Sequence, residues 1–184
     1  VEDKTLFEDH VKTINLQISE ITNLLNSFSE FARMPDPDFI NTDIVDLIDK
    51  AILPYKTNYK QISITTNSSL KNNVIKCDKN QIFRLFTNLV KNSVESIVEK
   101  NENKGKIQIS IKDSDNSVDF LFQDNGIGFE PDQLSNISEP YFTTKKNGSG
   151  LGLSIVSKII FEHKGNINFY NGENGANIHF CLLY

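Results

Sequence analysis

The longest regular pattern opens the chain. Phe7, Val11, Ile14, Ile18, Ile21, Leu25, Phe28 and Ala32 alternate spacings of four and three residues. This unbroken heptad seam predicts a helix over residues 1–33 that supercoils against partner helices. Leu6, Leu24 and Phe31 widen the stripe on one flank, beyond what a two-stranded seam needs, so a four-helix bundle fits better. A face this apolar requires a partner helix, from the same chain or another. The helix must stop at "ARMPDPDF", where Pro35 and Pro37 remove backbone donors and restrict the residues before them. Residues 34–41 read as a linker and domain boundary.

Beyond the linker the period changes. Ile44, Leu47, Ile48, Ala51 and Ile52 keep helical step from Asp43 to Tyr59. "QISITT" (61–66) and "NVIKC" (73–77) alternate as strands. Asp78 suits the N-cap of a helix from Lys79 to about Lys100. "KIQISIK" (106–112) and "SVDFLFQD" (117–124) predict strands around a turn at Ser114 to Asn116. A glycine-rich loop region, 125–150, precedes a helix "LGLSIVSKIIFEH" (151–163) that ends at Lys164-Gly165. "NINFYN" (166–171) and "ANIHFCLLY" (176–184) close a hairpin across Gly172 to Gly175. Residues 42–184 are thus expected to form an α+β domain with mostly antiparallel strands.

Composition removes several function classes. The 184 residues carry a net charge of -5 with scattered basic residues, which argues against a nucleic-acid surface. No stretch approaches the roughly 18–20 apolar residues of a membrane span. Cys77 and Cys181 lie far apart, and His10, His163 and His179 share no metal-ligand spacing. The chain opens on Val1 rather than Met, so it is expected to be part of something longer, with any membrane anchor outside it.

Four short stretches carry candidate chemistry. In "QDNGIGF" (123–129) a strand ends in Asp124, followed by Gly126 and Gly128. The carboxylate can accept from an exocyclic amine, and the glycines let a flat ring approach the backbone. A tight turn capped by aspartate is the plain alternative. In "NGSGLGLSIV" (147–156) Gly148, Gly150 and Gly152 precede and open a helix, whose free N–H groups form a ready phosphate site. The spacing is neither the dinucleotide fingerprint nor a Walker A loop, and a flexible hinge would look the same. In "FTNLVKNSVES" (86–96) Asn88, Asn92 and Glu95 share one helical face while Leu85, Leu89 and Val90 face inward. Two amides with the neighbouring Lys91 can hold a hard cation and phosphates, although a solvated polar face is equally simple. In "PYFTTK" (140–145) Phe142 can cover a ligand and Lys145 can reach a phosphate.

In this order and together, the asparagine helix, D-x-G-x-G, the aromatic-Thr-Lys loop and G-x-G-L-G-L resemble the N, G1, F and G2 boxes of bacterial sensor histidine kinases. That group sits in the ATP-binding superfamily with gyrase, Hsp90 and the mismatch-repair MutL proteins. "FSEFARMPDP", "NLVKNSVESI" and "PYFTTK" look closest to the NtrY-type, nitrogen-regulation-like members. The resemblance implies a two-layer α/β sandwich with ATP between helices and lid. It implies Asn92 as the Mg²⁺ ligand, with Asn88 near the phosphates, and Asp124 on the adenine amine, with Gly126 and Gly128 shaping the base pocket. Phe142, Thr144 and Lys145 would belong to a mobile lid, and Gly148, Gly150, Leu151, Gly152 and Leu153 to the phosphate-side turn and helix start.

Two departures bear on chemistry. Many sensor kinases place Lys and Tyr three and four residues after the magnesium asparagine, where this chain has Glu95 and Ser96. Gyrase-like ATPases place a glutamate base four residues before it, where this chain has Asn88, so slow hydrolysis is expected and the γ-phosphate is kept for a protein nucleophile. The acceptor histidine of the family is followed by an acidic residue on the first helix of a hairpin. Here the acidic Asp9 precedes His10, which falls beside the seam on a helix running into the linker. His10 is therefore read as a surface histidine on the second hairpin helix, with the acceptor and first helix absent. The implied partners are that first helix, a second subunit in a homodimer, and a response regulator receiver domain. The implied setting is the cytoplasmic part of an inner-membrane-anchored kinase. A nucleotide-sensing module without kinase activity and a coiled-coil adaptor are the competing readings.

Overall fold

The computed structural model describes residues 2–101, 104–145 and 148–183, with side chains in the first helix described from His10 onward except at positions 20, 23, 27 and 30. That helix, α1, spans Glu2–Ala32. Its seam is open: Ile14, Ile18, Ile21 and Leu25 are each more than half exposed, at 53%, 56%, 57% and 60%. Phe7 of the seam and Leu6 of its flank lie outside the described side chains. His10 is exposed.

After α1 come β1 (Ile40–Asp43), α2 (Ile44–Asn58), β2 (Ile62–Ser68), β3 (Val74–Cys77) and α3 (Lys79–Glu99). β4 (Gly105–Ser114), β5 (Ser117–Asp124), a single 3₁₀ turn (Pro131–Gln133), α4 (Gly152–Glu162), β6 (Ile167–Asn171) and β7 (Ala176–Leu183) complete the chain. Residue 184, the expected end of the last strand, lies outside the described residues. Five strands form one sheet in the order β2-β4-β5-β7-β6. Only β2 and β4 run parallel; the other neighbours in this sheet are antiparallel. β1 and β3 form a separate antiparallel pair.

The expected linker is tied down along its length, and its last residues, Ile40 and Asn41, already belong to β1. "INTD" is short and largely exposed, so its strand character comes from pairing with β3 rather than from an apolar alternation. Pro35 offers its carbonyl to Gln81 Nε2 at 3.0 Å, and the Asp38 N–H donates to Asp78 Oδ2 at 2.8 Å. Lys158 Nζ donates to the Phe31 carbonyl at 3.2 Å and sits 5.3 Å above its ring.

The core lies between the sheet and the three helices α2, α3 and α4. Val118, Phe120 and Phe122 alternate inward along β5, and Ile178, Phe180 and Leu182 do so along β7. Phe120 and Phe180 stack at 4.8 Å, and Phe86 of α3 tilts onto both at 5.9 and 6.1 Å. Each such buried ring is worth about 1.5–3 kcal/mol against an exposed one. This cluster fixes α3 across the middle of the sheet.

Asp43 and Asp78 cap α2 and α3, each accepting two N–H groups of its first turn. His163 closes α4 from inside the protein. It is 1% exposed; its Nε2 accepts from the Asp78 N–H at 3.1 Å, so Nδ1 carries the proton donated to the Ile159 carbonyl at 2.8 Å. Phe39 meets its ring edge-on at 5.0 Å. At the end of α4 the left-handed residue is Lys164, with φ 57°, and not Gly165. Gly165 is required by packing instead, since a Cβ there would collide with the Cys181 carbonyl.

Candidate active site

Asp124 is the last residue of β5 and lies mostly buried against α3. Ser93 Oγ donates to its Oδ2 at 2.5 Å, and the N–H groups of Gly126 and Ala176 donate to Oδ1 at 2.9 and 3.3 Å. Burial raises its pKa above the ordinary carboxylate range, opposed by these hydrogen bonds and by the Lys100 charge. The carboxylate is thus held in one orientation, with lone pairs left for a further donor.

The loop after Asp124 packs tightly on α3. A Cβ on Gly126 would fall onto the Ser96 side chain, whose Oγ accepts the Ile127 N–H at 3.0 Å. Glycine is needed there for close approach, and at Gly128 for a φ of 78°. Gly126 and Gly128, singled out as the floor of a flat pocket, do lie beside Asp124.

Asn88, Asn92 and Glu95 share the half-buried side of α3, and the start of α4 meets it. A Cβ on Gly152 would lie 3.4–3.6 Å from the amide atoms of Asn92 and Asn88. Asn88 Nδ2 is anchored on the Arg84 carbonyl at 2.9 Å, while Asn88 Oδ1 is among the atoms facing Gly152. Unlike α2 and α3, α4 has no side-chain cap. Its first-turn N–H groups, at the positive end of the helix dipole, thus lie close to the two amides with no side-chain cap among the described residues. Lys91 is exposed on the neighbouring side of α3, and no hydrogen bond or ion pair among the described residues joins it to this group.

The loop 141–150 is pinned at its base. The Tyr141 N–H donates to the Gly150 carbonyl at 3.0 Å, and both residues take left-handed conformations, φ 69° and 66°. Gly150 admits no Cβ, because the Tyr141 backbone occupies that space. Beyond this base, Lys145 Nζ pairs with Glu95 Oε2 at 2.5 Å, both partly exposed. Phe142 is half-buried and Thr144 exposed. The Gly148 N–H donates to the Lys145 carbonyl at 3.2 Å. Leu151 is fully buried at the head of α4, and the half-buried Leu153 packs on the core.

Sequence reasoning did not find Ser93, Ser96, Glu95 as the partner of Lys145, or Asn171. Glu95 and Ser96 lie three and four residues after Asn92 on its helical face, the one signal that could have found them; Ser93, next to Asn92 in sequence, is turned to the buried side. Asn171 had none: its amide meets the Phe129 backbone 42 residues away.

The chemistry available is therefore specific: a fixed buried carboxylate beside a glycine floor, an uncapped helix start facing two amides, and a loop whose Lys145 pairs with Glu95. Residues 77–184 match the family described as histidine kinase-, DNA gyrase B-, and HSP90-like ATPase. An NtrY-like sensor histidine kinase of Rickettsia typhi is 33% identical over 174 residues, 95% of this chain and 29% of that relative's length. The chain thus spans less than a third of that relative. The nucleotide-free catalytic domain of the histidine kinase ThkA superposes with a TM-score of 0.71 at 29% identity, over 79% of this chain and 95% of that one. ThkA in complex with the response regulator protein TrrA reaches 0.76 at 25% identity, over 95% of this chain and 50% of that one. With a family match over more than half its length, on a fold and site of this kind, the chain belongs to the histidine kinase-, DNA gyrase B- and HSP90-like ATPases.

Proposed function

We propose that this chain is the ATP-binding catalytic domain of a sensor histidine protein kinase, preceded by the second helix of its dimerisation hairpin. The observation that carries the reading is the convergence of Asn88 and Asn92 with the uncapped start of α4 at Gly152, beside the fixed carboxylate of Asp124. The donor set fits Mg-ATP: neutral amide oxygens suit a hard cation that keeps phosphate and water ligands. Asn92 would hold Mg²⁺, which when bound offsets the charge of the phosphates. Asn88 would lie near the phosphates. The first-turn N–H groups of α4 would cradle them, and Lys145 would approach on a mobile lid with Phe142 and Thr144. Asp124 would accept the adenine amine over Gly126 and Gly128.

Asn88 is an amide at the place where a hydrolytic relative carries a glutamate, and an amide cannot take a proton from water. The γ-phosphate is therefore spared for transfer to a histidine on another helix, and from there to a response regulator receiver domain. The open seam of α1 would pack against the first hairpin helix and a second subunit. His10, exposed and beside the seam, is not the acceptor. The kinase would be membrane-anchored elsewhere; among the described residues no helix is long and apolar enough to cross a membrane.

The test is a calorimetric titration of the chain with ATP, with and without Mg²⁺. Saturable binding that weakens when Mg²⁺ is withheld supports the reading. A folded chain that binds no ATP would overturn it.

A further inference from the structure

The hairpin formed by β6 and β7 ends directly beneath the loop that follows Asp124. Asn171, the last residue of β6, turns its side chain onto Phe129: Oδ1 accepts the Phe129 N–H at 2.8 Å, and Nδ2 donates to the Phe129 carbonyl at 2.7 Å. One side-chain amide thus satisfies both backbone groups of a loop residue, as a neighbouring strand would. The seat is built from several sides. Phe129 meets Phe169 of β6 edge-on, with ring centroids 6.0 Å apart. A Cβ on Gly128 would strike Asn171 Oδ1, so the left-handed turn at Gly128 is shaped against this amide. Gly175, in the turn between β6 and β7, packs without room for a Cβ under the Asp124 carbonyl and Gly126 nitrogen. Lys100 Nζ bridges the carbonyls of Asn125 and Asn174 at 2.9 and 3.1 Å.

We propose that Asn171 is a positioning residue for nucleotide binding: its amide clamp on Phe129 holds the Gly126–Gly128 floor in register with Asp124. It touches the loop and not the ligand. The inference rests on the reading that this loop receives the base. Asn171 lies at the exposed end of an edge strand and far from the central Phe cluster, so its loss acts on the loop and not on the fold. The backbone of the floor is shared by every adenine nucleotide, whatever its phosphates. A clamp on the floor must therefore affect ATP, ADP and AMP alike, whereas Lys145 concerns the phosphates.

The experiment compares wild type, Asn171→Ala, Asn171→Asp and Lys145→Ala in the full chain. Nucleotide affinity is read by calorimetry with ATP, ADP and AMP, and the exchange of the Phe129 amide hydrogen by NMR or mass spectrometry. Asn171→Ala is expected to speed exchange at Phe129 and weaken all three nucleotides by about tenfold, the scale of losing two neutral hydrogen bonds. Its thermal midpoint should stay within a few degrees of wild type. Asn171→Asp keeps the acceptor for the Phe129 N–H but sets a carboxylate oxygen against the Phe129 carbonyl, so it should weaken binding at least as much as Asn171→Ala. Lys145→Ala should weaken ATP more than AMP. Unchanged exchange at Phe129, unchanged affinity despite faster exchange, or a loss confined to ATP would each overturn the role of Asn171. Wild-type chain that binds no nucleotide would remove the functional reading and this role with it. Wild-type binding with an unaffected Asn171→Ala removes the role alone.

Discussion

Replacing Asp124 by asparagine separates binding from folding. In the wild-type site Oδ1 accepts two backbone N–H groups, and Oδ2 accepts the Ser93 hydroxyl at 2.5 Å. Asparagine in the same rotamer keeps Oδ1 in place and presents an NH₂ group to Ser93, whose hydroxyl can turn and accept. The substitution also removes a buried charge whose desolvation opposes ionisation. The expected change in stability is therefore within about 1 kcal/mol, the worth of one rearranged hydrogen bond. Binding behaves differently. An amine donor that met a carboxylate now meets another donor, and a hydrogen bond to a charged group is worth about 1.5–3 kcal/mol. Affinity should fall by about tenfold to a hundredfold, equally for ATP and ADP, while the thermal midpoint hardly moves. The pH dependence carries the same signature. Binding needs the ionised carboxylate, so wild-type affinity should weaken on acidification from a pH above the ordinary carboxylate range, and the Asp124→Asn protein should lack that limb. For stability the sign is opposite. The folded state favours the protonated form, so wild type loses stability as pH rises from the unfolded value of 3.8 through the raised folded value. The asparagine variant lacks this loss. Affinity for ATP within twofold of wild type would refute the reasoning, and a large drop in thermal midpoint would show that the carboxylate serves the fold instead.

Other changes test separate links. Gly152→Ala adds a methyl group at ordinary contact distance from Asn88 and Asn92; it should raise stability slightly, by up to about 1 kcal/mol of helix propensity, seen as a small upward shift of the thermal midpoint, while weakening Mg-ATP in calorimetry. His163 accepts from the Asp78 N–H only when neutral, and burial lowers its pKa from 6.5. Stability should therefore fall as pH drops below 6.5 toward the lowered folded value, and denaturant titrations of His163→Gln should lack that slope. Asp78→Ala removes two cap bonds and the tie to Asp38; urea midpoints should report a loss of about 1–3 kcal/mol. Glu95→Gln breaks a pair that is partly exposed and should change stability by under about 1 kcal/mol, measured in the same way.

What was legible in the sequence was what repeats locally. The alternation of Val118, Phe120 and Phe122 gave β5 its limits, the helical step of Ile44, Leu47, Ile48, Ala51 and Ile52 gave α2, and the Asp78 cap gave the start of α3, because period and capping are written within a few residues. The start of α4 was legible for the same reason: three glycines in five positions mark a backbone that must come close to something. What escaped is held by single contacts between distant segments. Ser93 finds Asp124 31 residues away, and Lys145 finds Glu95 across 50; no periodicity encodes such pairs. β1 escaped because "INTD" has no apolar face and exists by pairing. His163 looked like an isolated histidine, and its role as a buried link from α4 to the cap of α3 needs the tertiary fold to be seen.

Under the proposed function this chain donates the γ-phosphate of ATP to a histidine on another helix. The direct measurement is incubation with γ-labelled ATP and Mg²⁺, alone and with a separate polypeptide containing the acceptor helix of an NtrY-like relative, followed by acid and alkali treatment of the labelled product. The expected result is acid-labile, alkali-stable label on the acceptor helix and none on this chain. Near-stoichiometric label on His10, or ATP bound with no transfer to any acceptor helix, would contradict it.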